Sequence, residues 1–219
     1  MEKSKKIVFF DIDYTLFDTD AYRRILYPRL AHELGIDEEL LKIFRREFEP
    51  EMKKKFGHFS PTFFLQKILP LAKKNTSLEA LEQIFWDKAI YASVLDSKGK
   101  ELFEQLTNKN VTIGLLSTGD TKHQLAKIDS LLTFLPSDHH HIFSNKIESL
   151  ETVLEKYHEF KIYIIDDLPE VLHAVKQLNP NVITIFKKTN KVFESTNTIQ
   201  NFNPDFEIDD LMEILEIVM

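Results

Sequence analysis

Two aspartates separated by one residue, Asp11 and Asp13, follow directly after four consecutive apolar residues, 7–10. Two carboxylates this close repel each other unless a cation or a shared proton relieves the charge. Carboxylate oxygens are ligands that magnesium accepts in proteins, so a divalent cation is the expected relief. Taken alone, the pair could also be a solvated turn, and the interpretation therefore depends on the rest of the chain.

The apolar run before the aspartates predicts a fully buried strand of the parallel kind, because it is short, β-branched and aromatic. Similar runs predict strands at 111–116, 162–165 and 182–186, with shorter candidates at 141–143 and 206–208. Strands that alternate with helical patterns predict an α/β fold, a parallel sheet with helices on its faces. Ligands of such sheets bind at the carboxyl ends of the strands, where the two aspartates lie.

A different pattern occupies the segment from about residue 21 to residue 91, where apolar residues recur at helical spacing and no strand is convincing. Helix starts are expected at Asp37, Ser60 and Ser77. We therefore expect four helices inserted after the first strand.

These elements predict two domains. A helical cap domain is expected at 19–94, and an α/β core with a Rossmann-like parallel sheet at 1–18 and 95–219. Asp209 is expected to cap a final helix that runs to Val218.

Composition excludes several classes of function. The net charge of -7 argues against binding to duplex nucleic acid, and the absence of cysteine excludes thiolate nucleophiles and iron–sulfur clusters. Five scattered glycines exclude the Rossmann fingerprint and the P-loop. No stretch approaches the roughly 20 apolar residues of a membrane span. We expect a soluble cytoplasmic protein, a monomer or weak homodimer that binds neither nucleic acid nor membrane.

Polar side chains also follow the later predicted strands. Ser117 and Thr118 follow one strand, Lys146 lies just beyond another, and Asp166 and Asp167 follow a third. A carboxylate pair, a hydroxyl, a lysine and a second carboxylate pair are together sufficient for phosphoryl transfer.

In this order, these residues resemble the four motifs of the haloacid dehalogenase superfamily of phosphohydrolases, in the subclass with a helical cap between the first two motifs. Residues 11–16 match the first motif as D-x-D-x-T-L, although Tyr14 replaces a residue that is often small and is expected to narrow the mouth of the pocket. The resemblance implies a magnesium-dependent phosphatase that acts on a small phosphorylated metabolite or nucleotide through an aspartyl-phosphate. A phosphomutase with the same residues, and a catalytically silent scaffold or regulator, are the alternatives.

The resemblance also implies roles for the first and last motifs. Asp11 would be the nucleophile, and Asp13 the general acid and then the general base. Mg²⁺ would be held by a carboxylate oxygen of Asp11, the backbone carbonyl of Asp13 and the carboxylate of Asp167, while Asp166 either binds the metal or orients the site. The acidic pair 166–167 could also be a helix start. Thr15 is expected to stabilise the turn that follows the first strand.

The middle motifs would handle the phosphate. Ser117 and the backbone amide of Thr118 would bind a phosphoryl oxygen, and Lys146 would lie between Asp11 and the phosphate. Two alternatives remain: Ser117 could cap a helix, and Lys122 could replace Lys146.

Other polar groups have weaker claims to a function. The histidines at 139–141 could bind a metal, but three adjacent side chains do not converge readily on one ion, and a solvated loop is expected. The loop at 57–59 is a candidate to enter the cleft. Basic residues of the cap are candidates to contact a second anion of the substrate, although charged helical residues more often face water; they are Arg23, Arg24, Arg45, Arg46 and Lys53, Lys54 and Lys55.

Overall fold

The computed structural model describes residues 5–189 and 203–219, and its centre is one sheet of six parallel strands in the order β3-β2-β1-β4-β5-β6. The strands are β1 (Lys6–Phe10), β2 (Val111–Thr118), β3 (His140–Phe143), β4 (Lys161–Asp166), β5 (Ile183–Lys187) and β6 (Phe206–Ile208). All six strands predicted from the apolar runs are confirmed, and so is the α/β fold with a parallel sheet.

Ten α-helices accompany the sheet in the described part of the chain: α1 (Thr19–Leu34), α2 (Glu38–Phe56), α3 (Pro61–Ile68), α4 (Leu78–Phe85), α5 (Lys88–Val94), α6 (Gly99–Asn108), α7 (Thr121–Lys127), α8 (Lys146–Lys156), α9 (Pro169–Leu178) and α10 (Ile214–Val218). Within residues 5–189 and 203–219, none of the helices has the length and apolar character needed to cross a membrane.

Helices cover both faces of the sheet, and this explains the unbroken apolar run of β1. Val8 and Phe10 lie in one hydrophobic cluster with residues of α6 and α10. Ile7 and Phe9 lie in a second cluster with residues of α8 and α9. Because successive side chains of a strand alternate between faces, a strand covered on both sides needs an apolar residue at every position.

The helices α1 to α5, called here the helical insertion, lie between β1 and β2. Asp37, Ser60 and Ser77 cap α2, α3 and α4, since each side chain accepts a hydrogen bond from a backbone amide in the first turn of its helix. The predicted count of four helices was wrong, because Asp87 caps a fifth one, the short helix α5.

The chain enters and leaves the helical insertion at adjacent points. Phe17 and Leu95 form an isolated antiparallel bridge, and the amide of Asp18 donates to the carbonyl of Val94 at 3.0 Å. Both connections therefore lie just beyond the carboxyl end of β1.

The last helix starts differently from the prediction. Asp210, not Asp209, caps the turn of 3₁₀ helix that leads into α10, and it does so through a capping box with Glu213. Asp209 instead lies 3.3 Å from the ammonium group of Lys188.

Candidate active site

The carboxyl ends of β1 and its two neighbours bring the acidic residues together. The register pairs Phe10 of β1 with Leu115 of β2 and with Ile165 of β4. The amide of Asp11 continues this ladder by donating to the carbonyl of Ile165 at 3.0 Å. One residue further along, Asp11 therefore lies beside Asp166.

Three buried carboxylates form what is called here the acidic triad: Asp11, Asp166 and Asp167. One oxygen of each lies within 4.8 Å of the others, and their exposed fractions are 4%, 0% and 4%. Among residues 5–189 and 203–219 it is the one group of acidic or histidine side chains with the geometry to share a metal ion. An all-oxygen donor set of this kind fits magnesium.

Lys146, the first residue of α8, lies between two members of the acidic triad. Its ammonium group donates to Asp11 and to Asp166, at 2.6 Å in each case. Burial lowers the pKa of Lys146, but the two carboxylates raise it above its usual value. Burial also raises the pKa of Asp11 to about 7, against the lowering effect of Lys146. One ammonium group leaves the three carboxylates incompletely neutralised, and a divalent cation would complete the compensation.

Asp166 and Asp167 differ in what they contact. Asp166 binds Lys146 with one carboxylate oxygen and accepts from the amide of Leu168 with the other, at 2.9 Å. The second bond lies just ahead of α9, so the helix-start interpretation holds beside the site interpretation. Asp167 lines the cleft described below.

Ser117 and Thr118 end strand β2 beside the acidic triad. Ser117 is 1% exposed and both residues line the cleft. The following helix α7 is capped by Asp120, whose carboxylate accepts from the amide of His123 at 2.9 Å, so Ser117 is not its cap. The hydroxyl of Thr118 accepts from the amide of Lys146 at 3.3 Å, which connects the second motif to the third.

The carboxylate of Asp13 lies in a separate set of contacts. The ammonium group of Lys127 donates to both of its oxygens, at 2.7 Å and 2.6 Å. The hydroxyl of Thr19 and the amide of Gln124 donate as well, at 2.5 Å and 2.9 Å. Burial would raise the pKa of Asp13, but these partners hold it well below its usual value. Asp13 is therefore a charged carboxylate in this arrangement.

Sequence reasoning missed the partners of Asp13. Gln124 and Lys127 lie one helical turn apart on α7 and are only 3% and 5% exposed. Polar residues on the buried face of a helix next to the second motif were a usable signal, because a buried polar group needs a partner. Thr19, at the start of the helical insertion, gave no such signal.

The helical insertion and the strand ends enclose a cleft of about 680 Å³. The core contributes Asp11, Asp13, Ser117, Thr118, Lys146 and Asp167, while the insertion contributes residues that include Arg23, Arg45, Arg46, Lys53, His58 and Phe59. The loop at 57–59 enters this cleft. Gly57 lies so close to the core that a Cβ atom there would be 2.9 Å from that of Ser144, and its φ is +76°. A glycine is required by both observations.

The first motif makes an unusual turn. Tyr14 has a φ of 58°, and its hydroxyl donates to Asp20 at 2.7 Å and accepts from Arg23 at 3.0 Å. Its ring thus belongs to the cleft wall. The Thr15 hydroxyl is buried without a hydrogen-bond partner among the described residues, so the predicted turn role of this side chain finds no support.

Two weaker expectations are also decided by geometry. Lys122 lies on α7 with its ammonium group 4.3 Å from the ring centroid of Trp86, whereas Lys146 is the lysine that contacts Asp11. His139 and His141 lie 2.8 Å and 3.0 Å from the hydroxyl of Tyr157. The expected solvated loop was wrong, because β3 begins at His140.

No protein-family model and no curated protein matches the sequence. Solved structures do match. A haloacid dehalogenase-like hydrolase from Burkholderia xenovorans has a TM-score of 0.76 and 21% identity, over 97% of this chain and 98% of the other. A 2-haloacid dehalogenase from Pseudomonas syringae gives 0.65 and 17%, over 98% of each chain. The magnesium-bound HAD-hydrolase YfnB from Bacillus subtilis gives 0.63 and 16%, over 99% of each chain. These likenesses establish the fold.

Proposed function

We propose that this chain, which has the fold of the haloacid dehalogenase-like hydrolases, is a magnesium-dependent phosphohydrolase acting on a small phosphorylated metabolite or nucleotide. One observation carries the proposal. A buried lysine, Lys146, joins Asp11 to a second carboxylate at the strand ends, and a serine and a threonine line the same cleft. This arrangement suits an anionic nucleophile that must approach an anionic substrate.

In the first step, a carboxylate oxygen of Asp11 would attack phosphorus, and the bond from phosphorus to the leaving oxygen would break. The resulting aspartyl-phosphate would then be hydrolysed by water, which regenerates Asp11 and releases phosphate. Dividing one displacement into two lowers the barrier of each. Lys146 would offset the repulsion between Asp11 and the phosphoryl oxygens, and Ser117 and the Thr118 amide would orient the phosphate.

The acidic triad fits magnesium by its donor set and spacing. Asp11 and Asp167 would hold it with carboxylate oxygens, and Asp13 with its backbone carbonyl. Asp166 would orient Lys146, because protein donors already occupy both of its oxygens. When bound, magnesium would neutralise charge on the phosphoryl oxygens. The magnesium-bound Bacillus subtilis neighbour is consistent with this assignment.

Asp13 would act as general acid towards the leaving oxygen and then as general base towards the hydrolytic water. Its charged state beside Lys127 favours the second role, because a base must be unprotonated. The first role requires a proton, so leaving groups that depart as stable anions should react faster than alkoxides.

The helical insertion would act as a cap over the site. Its loop at 57–59 lies close to Ser144 at Gly57 and lines the cleft together with the strand ends. A cover of this kind excludes bulk water and limits the substrate to molecules that fit beneath it.

Three other functions compete with this one. The Pseudomonas syringae neighbour suggests hydrolytic dehalogenation as an alternative. A halide leaves without a proton, however, so a general acid at Asp13 would have no leaving group to protonate in that reaction. A phosphomutase would use the same residues and retain its substrate after the first transfer. A silent scaffold would have no need for a nucleophile, a lysine and an acidic triad in contact.

The test is hydrolysis of a generic aryl phosphate with magnesium and with a chelator. We expect magnesium-dependent release of inorganic phosphate, and loss of turnover in Asp11→Asn with the circular dichroism spectrum unchanged. A folded wild-type protein that releases no phosphate under either condition would contradict the proposal. Turnover retained by Asp11→Asn would overturn the assignment of the nucleophile, and phosphate moved within a sugar phosphate would favour the mutase.

A further inference from the structure

One face of α2 lines the same cleft as the acidic triad. It carries Lys42, Arg45, Arg46, Glu49 and Lys53. Apart from the adjacent pair Arg45 and Arg46, these positions are separated by three or four residues at each step, so they form one stripe along the helix. The stripe, called here the cationic face, contains four cations and a single carboxylate.

Four of the six cations of α2 lie on this face. The charged residues of α2 that do not line the cleft are four glutamates and two lysines: Glu38, Glu39, Glu47, Glu51, Lys54 and Lys55. The whole chain has a net charge of -7. Although α2 carries both acidic and basic residues and the protein is acidic, most of the positive charge of this helix therefore lines the cleft.

Arg45 is held in place on the cleft wall. Its side chain is 14% exposed, and its guanidinium carbon lies 4.9 Å from the ring centroid of Phe59. It also donates to Glu49 at 2.8 Å. A planar guanidinium stacked on a ring keeps further donors in a fixed plane, which suits recognition of a carboxylate or phosphate.

Arg46 and Lys53 add charge that the protein does not balance. Neither has an ion-pair partner in the part of the chain that the structure describes. The two buried lysines of the cleft, by contrast, are occupied by Asp13 and the acidic triad. In the proposed mechanism, Ser117, the Thr118 amide and Lys146 bind the phosphate to be removed, so the cationic face would remain for another group.

A wet surface is the ordinary explanation of charged helical residues, and the structure applies it to other basic residues of the helical insertion. Arg24 is exposed beside Asp18, and Lys55 lies 5.2 Å from the rings of Phe56 and Phe63. Neither lines the cleft. The cleft volume of about 680 Å³ lies within the range of sites for whole small molecules and leaves room beyond a phosphate.

Resting on the proposed function, we infer that the substrate carries a second anionic group, a carboxylate or another phosphate, and that Arg45 and Arg46 of the cationic face bind it. The substrate class is then a phosphorylated acid or a bisphosphate.

The test compares three unreactive phosphonates, each in excess magnesium, by isothermal titration calorimetry. Propylphosphonate has no second anion, 3-phosphonopropionate has a carboxylate, and propane-1,3-diphosphonate has a second phosphonate. We expect the last two to bind about tenfold more tightly than the first, as a charge-assisted hydrogen bond predicts. The tighter of the two identifies the anion.

Variants test which residues cause the preference for a second anionic group. The double variant Arg45→Gln/Arg46→Gln should bind all three phosphonates with similar affinity, and Arg46→Gln, at an exposed position, should lose part of the preference without risk to folding. Lys54→Gln on another face of α2 is the matched control and should keep the full preference. Equal binding of the three compounds by wild type, or a preference undiminished in the double variant, would overturn the inference.

Failure of the inference is distinguishable from failure of the proposed function. Phosphonate binding needs no turnover, so a protein that hydrolyses no phosphate ester but keeps the preference would refute the hydrolase and retain the anion site. A protein that hydrolyses aryl phosphate and shows no preference would do the reverse.

Discussion

Replacing Lys146 by methionine should destabilise the protein strongly in the absence of metal. Methionine keeps the apolar stem but removes the ammonium group, which lies 2.6 Å from both Asp11 and Asp166. These side chains are 4%, 5% and 0% exposed, so water cannot replace the lost cation. Breaking a buried ion pair on one side costs about 3–5 kcal/mol. For a chain of this size, that loss lowers the melting temperature by about 10 °C.

The destabilisation should depend on pH. Burial already raises the pKa of Asp11 to about 7, from its usual value of 3.8, and loss of Lys146 would raise it further. A carboxyl with a raised pKa binds its proton more tightly in the folded state, so its contribution to stability is greatest below 3.8 and is lost as the pH rises through about 7. The difference in stability between wild type and variant should be largest near pH 8 and should shrink towards pH 4.

The assay is thermal denaturation at several pH values, with a chelator and with magnesium. Magnesium should restore part of the lost stability, about 2.7 kcal/mol at a concentration one hundred times its dissociation constant, because it binds the acidic triad only in the folded protein. Lys109→Met, at an exposed position, is the control and should change little. A variant as stable as wild type at pH 8 in chelator, or one destabilised equally at every pH, would refute the electrostatic argument.

Further predictions concern three other positions. Gly114→Ala should destabilise the protein by about 1–3 kcal/mol in urea denaturation, because the new Cβ would lie 2.5 Å from the ring of Phe9; an unchanged midpoint would contradict this packing. Lys127→Met should raise the pKa of Asp13, because Lys127 lowers it. Asp13 would then be a better proton donor, so the difference in kcat/KM between aryl and alkyl phosphates should become smaller. An unchanged ratio of the two kcat/KM values would show that Lys127 does not influence proton transfer. Burial lowers the pKa of His141 to about 4 from 6.5, so its neutral form stabilises the fold above pH 6.5 and that contribution is lost as the pH falls to 4. His141→Gln should flatten this part of the stability profile, and an identical profile would exclude the histidine as its source.

The sheet and the acidic triad were accessible from the sequence for one reason. An apolar run such as 7–10 reports burial on both faces, and the end of a run marks the edge of the sheet where Asp11 lies. Parallel strands share that edge, so Asp166 and Asp167 were expected near Asp11 before any distance was known. The family resemblance added Lys146, which strand topology alone does not identify.

Polar residues beside the second motif were a signal, but the sequence did not assign them to Asp13, because that pairing depends on side-chain direction in helices. Lys127 lies 114 residues from Asp13 in the chain, and no local sequence pattern indicates that the two side chains are in contact. The fifth helix of the insertion was missed for a related reason. Helix α5 is only seven residues long, too short for its apolar spacing to stand out.

The two aspartates that open the chain's chemistry have opposite pKa shifts, although a single residue separates them. Burial raises the pKa of both carboxyls, and their different charged and hydrogen-bonding partners decide the direction of each net shift. Lys127 forms an ion pair with Asp13, whereas Lys146 forms ion pairs with both Asp11 and Asp166, and Asp11 lies beside Asp167 as well. Asp13 is thus charged beside Lys127, Thr19 and Gln124, whereas the pKa of Asp11 is raised, and further positive charge at the acidic triad would favour its charged form. In the proposed mechanism, a divalent cation would therefore favour the charged form of the nucleophile, in addition to neutralising charge on the phosphate.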